Sequence, residues 1–600
     1  MNQIHSKKWF VIFLLISMMS LLASGCSSSS NTQGDGELVI SLTDAEGDFL
    51  SYTVDVTSLK MIMQNGAEVE ALPLTTTLDF AQYVEVTEFL TAATVPSGKY
   101  IGAQITLDYS NAAITVQNTN GAAIAANAVD SNGNPLTQLT VDISLNGGSE
   151  FVIAPGIPAH FTLDFDLDAS NVVTVNGSSA TVVVSPVLVA DTILEEPKPH
   201  RLRGLLRSVD EAAKTFNVAM RPFRHRLNRF GQLKAHVSNA TSFEVNGQMY
   251  AGNAGLTELS NLPPAAAIVV LGKLDYAQRQ FNAVEVYAGS SVPWGNKDIV
   301  SGNVIARAGD ILIIRGATII RSNGSFAFND NVSVNLAGNT TVVKQADTTS
   351  TYNKDDISVG QRVTILGRLT SSASFNINAE HVRMHFTHLS GTVVSVSPLA
   401  VDLQGIDRRR IILFDFSGTG TDAANDADAN NYEVDSGTLA LTNLQNGDPV
   451  KVLGFVRSFG QAPEDFSAQS IVDVSNVAAH LAVGYGSGSI NAIASISDIG
   501  IQLDLTDAGN LHHLYRAGVA TDLQAMMTMP LIAPRDNDKG LFVIAVGTSL
   551  RVYSTYATFQ QALATALNNA ASVISVHSHG VYDTNENKVV ARNINVRLSE

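Results

Sequence analysis

The chain has very little cysteine and comparatively little charge. Cys26 is the only cysteine among 600 residues, so no disulfide can form within one copy of the chain and packing must stabilise the folded part. Only 15% of the residues are charged, and Asp and Glu outnumber Lys and Arg by 55 to 37. The formal net charge of -18 argues against general nucleic-acid binding, which needs basic side chains against phosphates.

Long apolar runs and catalytic signatures are also missing. The apolar stretch from Trp9 to about Ala23 is shorter than the roughly 20 residues that span a bilayer, and no later stretch reaches that length. The sequence contains no Gly-x-Ser-x-Gly elbow, no His-Glu-x-x-His helix and no phosphate-binding loop. Single serines and carboxylates are too common to nominate a catalytic set. We therefore expect a protein without enzymatic activity and without a cofactor.

The N-terminus follows a recognisable order: Lys7 and Lys8, the apolar stretch, small residues, then Cys26. This order resembles the signal of bacterial lipoproteins, in which the cysteine thiol receives a diacylglyceryl group before cleavage. The resemblance implies that residues 1–25 are removed and that lipid on Cys26 attaches the chain to a membrane. An ordinary secretory signal with a coincidental cysteine is the alternative, because Ala23 stands where such signals more often have Leu.

The residues after Cys26 bear on location. Residues 26–36 are rich in Ser and Gly and predict a flexible tether, because this composition cannot bury a core. Asp directly after the acylated cysteine resembles an inner-membrane retention signal, and this chain has Ser27 there. We therefore expect a lipid anchor in the outer membrane, with the folded part facing the periplasm or the cell surface.

Nearly everything after Gly36 predicts an all-β structure. Short runs such as Tyr52–Thr57 alternate apolar and polar residues, and Gly, Asn and Asp cluster between the runs. Helical spacing is rare. Its clearest instance follows Thr558 as a predicted N-cap and ends at Asn568, which predicts one short helix near the C-terminus.

Three segments share one pattern: an opening glycine, an irregular middle, a strand ending in Leu-Gly, then an alanine and an apolar residue. The opening glycines are Gly204, Gly302 and Gly391, and a weaker fourth copy is placed near Gly488. Each copy predicts a small barrel of five or six strands, whose Leu-Gly glycine supplies a positive φ or a tight bend. The predicted organisation is residues 37–192 as a separate β domain, a linker at 193–200, and repeats at 201–288, 299–385, 386–475 and 487–600.

The first domain resembles a bacterial lipoprotein family, domain of unknown function 4382. The resemblance rests on the segments Leu38–Ala45, Val95–Tyr100 and Leu163–Leu167. It implies a transthyretin-like or immunoglobulin-like β-sandwich. The repeats are more loosely similar to domain of unknown function 5666, through the opening glycine, the Asn443–Asp448 type of turn and the Leu-Gly strand. Neither family implies an activity or catalytic residues.

Two acidic segments are candidate metal sites. Asp164, Asp166 and Asp168 alternate along a segment expected to be a strand, so their carboxylates would share one face and could hold Ca²⁺. A solvated strand face is the alternative, because the EF-hand pattern is not matched. The loop from Asp422 to Asp435 is also rich in oxygen ligands, but its composition favours a flexible acidic loop.

Histidines near the C-terminus form another candidate site. His577 and His579 alternate on a predicted strand, and His512 and His513 lie in the same repeat. Two histidines at positions i and i+2 can share a zinc ion with a third ligand from elsewhere. Sequence spacing identifies no such ligand, so polar strand residues are the alternative.

One basic segment interrupts the acidic chain. Arginines crowd into the first repeat between Arg201 and His236, interleaved with apolar residues. Arg221, Arg224, Arg226 and Arg229 are the candidate contacts for a polyanion such as lipopolysaccharide or an acidic glycan. The alternative is pairing with acidic neighbouring domains. The sequence thus predicts an envelope binding or structural protein, and the alternative function is an envelope glycan hydrolase with an unrecognised carboxylate pair.

Overall fold

The computed structural model describes residues 34–44, 49–118, 120–191, 198–221, 230–275, 277–293, 297–322, 326–370, 375–472, 478–516 and 519–599. Strands dominate these ranges and form an N-terminal sandwich followed by four small barrels. The all-β prediction is therefore confirmed. No helix within the described ranges is long and apolar enough to cross a membrane.

The N-terminal sandwich contains two layers of strands. Its elements are β1 (Asp35–Thr43), β2 (Phe49–Met63), β3 (Glu68–Glu70), β4 (Thr76–Asp79), η1 (Phe80–Tyr83), β5 (Thr87–Pro96), β6 (Gly98–Gln117), β7 (Ala123–Val129), β8 (Gln138–Asn146), β9 (Phe151–Ile153), β10 (Ala159–Phe165), α1 (Leu167–Ser170), β11 (Asn171–Asn176), β12 (Ser179–Val184) and β13 (Leu188–Asp191). One layer has the order β13-β10-β1-β5, and the other is built around the paired β2 and β6. Phe165 of the first layer packs on Tyr52 of the second, with ring centroids 5.8 Å apart.

The first and second barrels follow directly along the chain. The first consists of β14 (His200–Asp210), β15 (Thr215–Met220), β16 (Gln232–Val245), β17 (Gln248–Ala251), α2 (Gly252–Ser260), β18 (Ala267–Asp275), β19 (Gln280–Ala288) and η2 (Gly289–Ser291). The second consists of β20 (Asp298–Ala308), β21 (Ile311–Ile320), β22 (Phe326–Asn329), β23 (Val332–Asn335), β24 (Thr341–Lys344), η3 (Lys354–Asp356), β25 (Arg362–Leu369) and β26 (Asn376–Met384).

The third and fourth barrels complete the chain. The third consists of β27 (Thr387–Val396), β28 (Leu399–Ile406), β29 (Arg409–Arg410), η4 (Ile411–Leu413), η5 (Ala429–Asn431), β30 (Tyr432–Asp435), β31 (Pro449–Val456) and β32 (Phe466–Val472). The fourth consists of β33 (Ala478–Ser489), β34 (Ile493–Ser497), β35 (Gly500–Leu503), β36 (His512–Arg516), β37 (Val519–Asp522), η6 (Leu523–Ala525), β38 (Leu531–Pro534), β39 (Lys539–Val546), β40 (Ser549–Thr555), α3 (Tyr556–Asn568), β41 (Val573–Asp583) and β42 (Lys588–Leu598).

The first three barrels share one strand order. In the first, β14 pairs antiparallel with both β15 and β18, while β16 pairs parallel with β19. The second and third repeat these pairings, so five principal strands close each barrel in the order 1-2-3-5-4. This is the strand order of the oligonucleotide/oligosaccharide-binding fold, a small Greek-key barrel. The prediction of small closed barrels is confirmed.

The fourth barrel keeps the antiparallel pairing of the first and fourth strands and the parallel pairing of the third and fifth, and it adds a hairpin. β33 pairs antiparallel with β41, while β38 and β39 both run parallel to β42. The hairpin β39–β40 and helix α3 stand between the third and fourth strands of the pattern, where the first barrel has α2. The predicted helix is present and ends at Asn568, but its N-cap is Thr555 and not Thr558. Helix α2 was not expected from the sequence.

The start predicted for the fourth repeat needs a correction. β33 begins at Ala478, ahead of the predicted position 487. Ala479 pairs with Gly580, as His200 pairs with Gly272 in the first barrel. In the first barrel, the opening glycine Gly204 lies four residues after His200. The residue four positions after Ala479 is Val483, so Val483 and not Gly488 is the counterpart of the opening glycine. The fourth barrel accommodates the valine side chain at this position. The opening glycine is therefore absent from its sequence, although β33 still pairs with β41 as the first and fourth strands do in the other barrels.

The Leu-Gly glycines serve close backbone approach. Gly272, Gly367 and Gly454 each lie at a register shift between the fourth and fifth strands of a barrel. None has a φ in the left-handed region, and a Cβ at each would lie 2.0 to 2.3 Å from a backbone oxygen of the adjacent strand. Of the two predicted roles, a tight bend at a β-bulge is therefore the one observed.

We predict that Gly367→Ala lowers the free energy of unfolding by about 1–3 kcal/mol, because the new methyl group overlaps the Asn378 carbonyl oxygen. Gly338→Ala, in the same barrel and with open space around its Cβ, is the matched control and should change stability by less than about 0.5 kcal/mol. Urea unfolding followed by circular dichroism compares the two variants. Equal midpoints would contradict the close-approach role.

The hairpin β39–β40 connects the two ends of the chain. β40 pairs in parallel with β8 of the sandwich, with Ser549 opposite Asp142 and Tyr553 opposite Asn146. Val543 and Val552 belong to the core shared by the sandwich and the first barrel, whereas Phe542, on the same hairpin, belongs to the core of the fourth barrel. The hairpin is therefore buried on both faces and joins the fourth barrel to the sandwich.

Buried ion pairs join other units. Glu88 of the sandwich contacts Arg201 and Arg203 of the first barrel. Glu244 of the first barrel, whose side chain is fully buried, contacts Arg383 of the second at 2.5 Å and His381 at 2.9 Å. Burial alone would raise the pKa of Glu244, but Arg383 and His381 hold that pKa well below its usual range. The barrels are thus fixed to one another by charges that water does not screen.

We predict that Arg383→Met destabilises the protein by about 3–5 kcal/mol, because it leaves the Glu244 carboxylate buried without its cation. The control is Arg368→Met in the same barrel, whose side chain is 73% exposed and should cost less than about 1 kcal/mol. Chemical denaturation of both variants provides the comparison. Similar losses for the two would show that Arg383 contributes no more than a surface charge.

Candidate metal centre

A cluster of nitrogen and oxygen ligands lies between the N-terminal sandwich and the fourth barrel. It consists of Asp168 on α1, His480 on β33 and His577 on β41. Asp166 ends strand β10 by capping α1, since its side chain accepts a hydrogen bond from the Ala169 amide. The single helical turn that follows places Asp168 at the edge of the sandwich.

The two histidines come from neighbouring strands of the fourth barrel. β33 and β41 pair antiparallel, with His480 opposite His579 and Ala482 opposite His577. Residues directly opposite each other, and residues two apart on one strand, project from the same face of a sheet. His480, His577 and His579 therefore share the face that meets α1.

The three candidate ligand atoms form a nearly regular triangle. His480 Nε2 lies 3.3 Å from His577 Nδ1 and 3.3 Å from Asp168 Oδ2. His577 Nδ1 lies 3.5 Å from Asp168 Oδ2. The side chain of His577 is 4% exposed and that of Asp168 is 28% exposed, so the triangle is sheltered but not sealed.

A second layer of contacts supports the triangle. Asp166 Oδ2 accepts a hydrogen bond from Asn595 Nδ2 at 2.8 Å and lies 3.1 Å from His579 Nε2. The His579 ring stacks on His480, with centroids 4.2 Å apart and planes 7° from parallel. The Tyr515 ring also stacks on the His480 ring, with centroids 5.7 Å apart. These contacts hold the His480 ring in one orientation.

Burial and ion pairing set the protonation of these groups. Burial, together with the adjacent His579 ring, lowers the pKa of His480 to about 3, so this imidazole is neutral near pH 7. Burial opposes charge on His579 as well, but the Asp166 carboxylate raises the pKa of His579. The pKa of Asp166 is held below its usual range, because His579 outweighs the effect of burial. His579 thus compensates the Asp166 carboxylate, while the neutral His480 imidazole contacts Asp168.

The predicted aspartate site is only partly present. The strand expected to carry all three aspartates ends at Phe165, because Asp166 begins a helical turn. Asp164 lies opposite Thr43 on the neighbouring strand and interacts with Asp44 and Lys198, and burial raises its pKa. Asp168 therefore lies on a helical turn, not at an alternating strand position, and it meets two histidines, so the three aspartates do not form the strand-face set that was predicted as a calcium site.

Of the C-terminal histidines predicted to bind zinc, only His577 lies beside two further possible ligands. The two possible ligands beside His577 are His480 and Asp168. His579 is not part of this group, because its ring contacts Asp166. His512 contacts Asp522 at 2.8 Å and stacks with His513, outside the triangle. His480 was missed because the fourth repeat was started too late along the chain. Alignment of β33 with the opening strands of the other copies would have included it.

Other predicted sites have separate outcomes. In the loop from Asp422 to Asp435, Asp422 and Asp428 accept hydrogen bonds from backbone amides of the same loop, and Asp426 accepts one from the Gly420 amide just before it. The flexibility predicted for this acidic loop stays a prediction. Cys26, Arg224, Arg226 and Arg229 lie outside the described residues. Arg221 is partly buried, and its amide donates to the Arg203 carbonyl.

A second group of possible ligands is Glu85, His388 and Asp407, at the meeting of the sandwich with the second and third barrels. Here Arg362 Nη1 contacts Glu85 at 2.5 Å, and Asn303 donates to Asp407 at 2.6 Å. The guanidinium group already neutralises a carboxylate that a cation would need. This group is best described as an ion-pair junction between domains.

Comparisons with known proteins match only part of the chain. Residues 35–185 match the family described as Domain of unknown function (DUF4382), which supports the resemblance found for the sandwich. No curated protein matches the chain significantly. Among solved structures, "drosophila Unr CSD456" is 9% identical, covers 46% of this chain and 97% of its own, and has a TM-score of 0.11.

A second solved structure, the pilus adhesin SpaC from Lactobacillus rhamnosus GG, is 9% identical, covers 87% of this chain and 43% of its own, and has a TM-score of 0.07. TM-scores this low support no argument about fold or function for either structure. The family match carries no assigned activity, so function must be argued from the chain's own residues.

Proposed function

We propose that the protein is a lipid-anchored, non-catalytic binding or structural protein of the cell envelope, held in the outer membrane through Cys26. The observation that carries this proposal is the way the β units are joined. Buried ion pairs and a shared hydrophobic core fix the sandwich and the barrels to one another. Such an assembly presents one broad surface of fixed shape on a tether, as a binding or scaffolding role requires.

The proposed ligand is a polyanion, such as lipopolysaccharide or an acidic glycan, at the segment from Arg221 to Arg229. Arg201 and Arg203 are already paired with Glu88, so the alternative of intramolecular pairing accounts for that part of the basic cluster. The remaining segment connects β15 and β16, the second and third strands of the first barrel. By analogy of fold, the strands that this segment connects are the ones whose face binds oligosaccharides and oligonucleotides in such barrels. Guanidinium groups match phosphate and carboxylate oxygens in pairs.

The similarity of the barrels to domain of unknown function 5666 belongs to the same proposal. It suggests that the four barrels arose as repeats of one module and adds no activity of its own. The opening glycine, the Leu-Gly bulge and the 1-2-3-5-4 strand order of the first three barrels support common descent, and the fourth shares a register shift at a glycine, Gly580.

We predict that Cys26→Ser abolishes palmitate incorporation and releases the chain from the membrane fraction, because a hydroxyl group is not the acceptor in the signal that this sequence resembles. Ser24→Ala, two residues away, is the control and should leave labelling unchanged. Metabolic labelling followed by membrane fractionation measures both variants. Normal labelling of Cys26→Ser would refute the anchor.

We predict that replacing Arg224, Arg226 and Arg229 together by Ser weakens retention of the full chain on immobilised lipopolysaccharide and flattens its salt dependence, since fewer screened ion contacts remain. The matched control removes three exposed positive charges elsewhere, with Arg368→Ser, Lys539→Ser and Arg551→Ser. Elution by a sodium chloride gradient compares the variants. Equal losses would indicate a net-charge effect, and release of sugar product would favour the hydrolase alternative.

A further inference from the structure

We propose that Asp168, His480 and His577 bind one divalent transition-metal ion, with Zn²⁺ the best fit, and that this ion fastens the N-terminal sandwich to the fourth barrel. The proposal is independent of the envelope-binding function. It rests on the types of ligand atom in these three side chains, on the distances between those atoms, and on the contacts that orient the side chains.

The donor set selects the class of metal. Two imidazole nitrogens and one carboxylate oxygen are a common ligand set for Zn²⁺ and its neighbours. Ca²⁺ and Mg²⁺ prefer oxygen ligands, whereas two of the three ligand atoms in the triangle are nitrogens. The neighbouring carboxylate of Asp166 is already occupied by His579 and Asn595.

The spacing of the ligand atoms matches a tetrahedral ion. With bonds of about 2.0–2.1 Å to zinc, the corners of a tetrahedron stand about 3.3–3.4 Å apart. The measured separations among the three side chains are 3.3, 3.3 and 3.5 Å. An ion centred over this triangle would keep a fourth position for water or another ligand.

Hydrogen bonds alone account poorly for the same triangle. Each of the two facing ring nitrogens carries at most one hydrogen, and hydrogen bonds from nitrogen to oxygen are usually about 2.9–3.0 Å long. Two imidazoles and a carboxylate therefore cannot make three good hydrogen bonds among one another at separations of 3.3–3.5 Å. A shared cation would satisfy all three lone pairs together.

The surrounding contacts resemble the support of a metal site. Asp166 both caps the turn that carries Asp168 and faces His579, on which His480 stacks. One carboxylate thus positions two of the three ligands without touching the ion. Groups in such positions typically change metal affinity about 10- to 100-fold when removed.

The site joins distant parts of the chain. Asp168 belongs to the sandwich, whereas His480 and His577 belong to the fourth barrel, so the folded chain must bring the two units together before all three ligands meet. A ligand that binds only the folded arrangement stabilises it in proportion to its affinity. Zinc should therefore protect the contact between α1 and β41.

The test uses the full chain, purified in detergent with a tag that contains no histidine and stripped of metal with a chelator. Wild type should bind one Zn²⁺ per chain, rise in apparent Tm with Zn²⁺, and show slower amide exchange in α1 and β41. His480→Gln with His577→Gln should weaken binding by more than about 100-fold, and the positioning variant Asp166→Asn by about 10- to 100-fold. The matched control, His512→Gln with His513→Gln on neighbouring β36, should bind as wild type does.

Cobalt binding provides a measurement that needs no variant. Wild type loaded with Co²⁺ should show the intense visible absorption of a tetrahedral complex. The proposal is overturned if wild type binds less than about 0.2 Zn²⁺ per chain, if Co²⁺ gives only a weak octahedral spectrum, or if the His480/His577 variant binds as tightly as the His512/His513 control. Saturable Ca²⁺ binding in place of Zn²⁺ would overturn it as well.

Discussion

The burial of one hairpin on both faces holds this structure together. β39 and β40 belong to the fourth barrel, yet β40 extends a sheet of the sandwich by pairing with β8. Alternate residues enter different cores: Val543 contributes to the sandwich core and Phe542 to that of the barrel. Because a strand's side chains point alternately to opposite faces, one hairpin can serve two cores. This pairing presents the histidine face of the fourth barrel to Asp168.

Charge contributes specificity where apolar packing ends. Glu88, Glu85 and Glu244 each meet arginine at a boundary between units, and the last of these pairs is almost fully buried. Buried ion pairs add little net stability, since desolvation offsets much of their attraction. Mismatched partners, in contrast, would leave a buried charge uncompensated. In a chain built of similar barrels, we infer that these pairs determine which barrel lies beside which.

Much of the fold was predictable from local pattern. Alternating residues indicated strands, and repeated glycines indicated barrels that turn at fixed places. The glycine at position 367 has a role that no sequence pattern can distinguish from a positive φ, because only the neighbouring strand's carbonyl oxygen shows that space is lacking. The start of the fourth barrel was misplaced for the opposite reason: Val483 fits where earlier copies have glycine, so the pairing persists without its sequence mark.

The candidate metal centre also combines features that the sequence shows with features that only the tertiary structure shows. The sequence by itself determined the all-β class, the repeated barrels, the helix ending at Asn568, and the presence of aspartates and histidines at alternating positions. Strand alternation and turn chemistry act over a few residues, so these features can be read along the chain. Only the tertiary structure decided that Asp168, His480 and His577 meet and that Asp164 is not part of this group. That choice depends on the register between β33 and β41, on the helical turn capped by Asp166, and on the contact that brings Asp168 to His480 from a distant part of the chain.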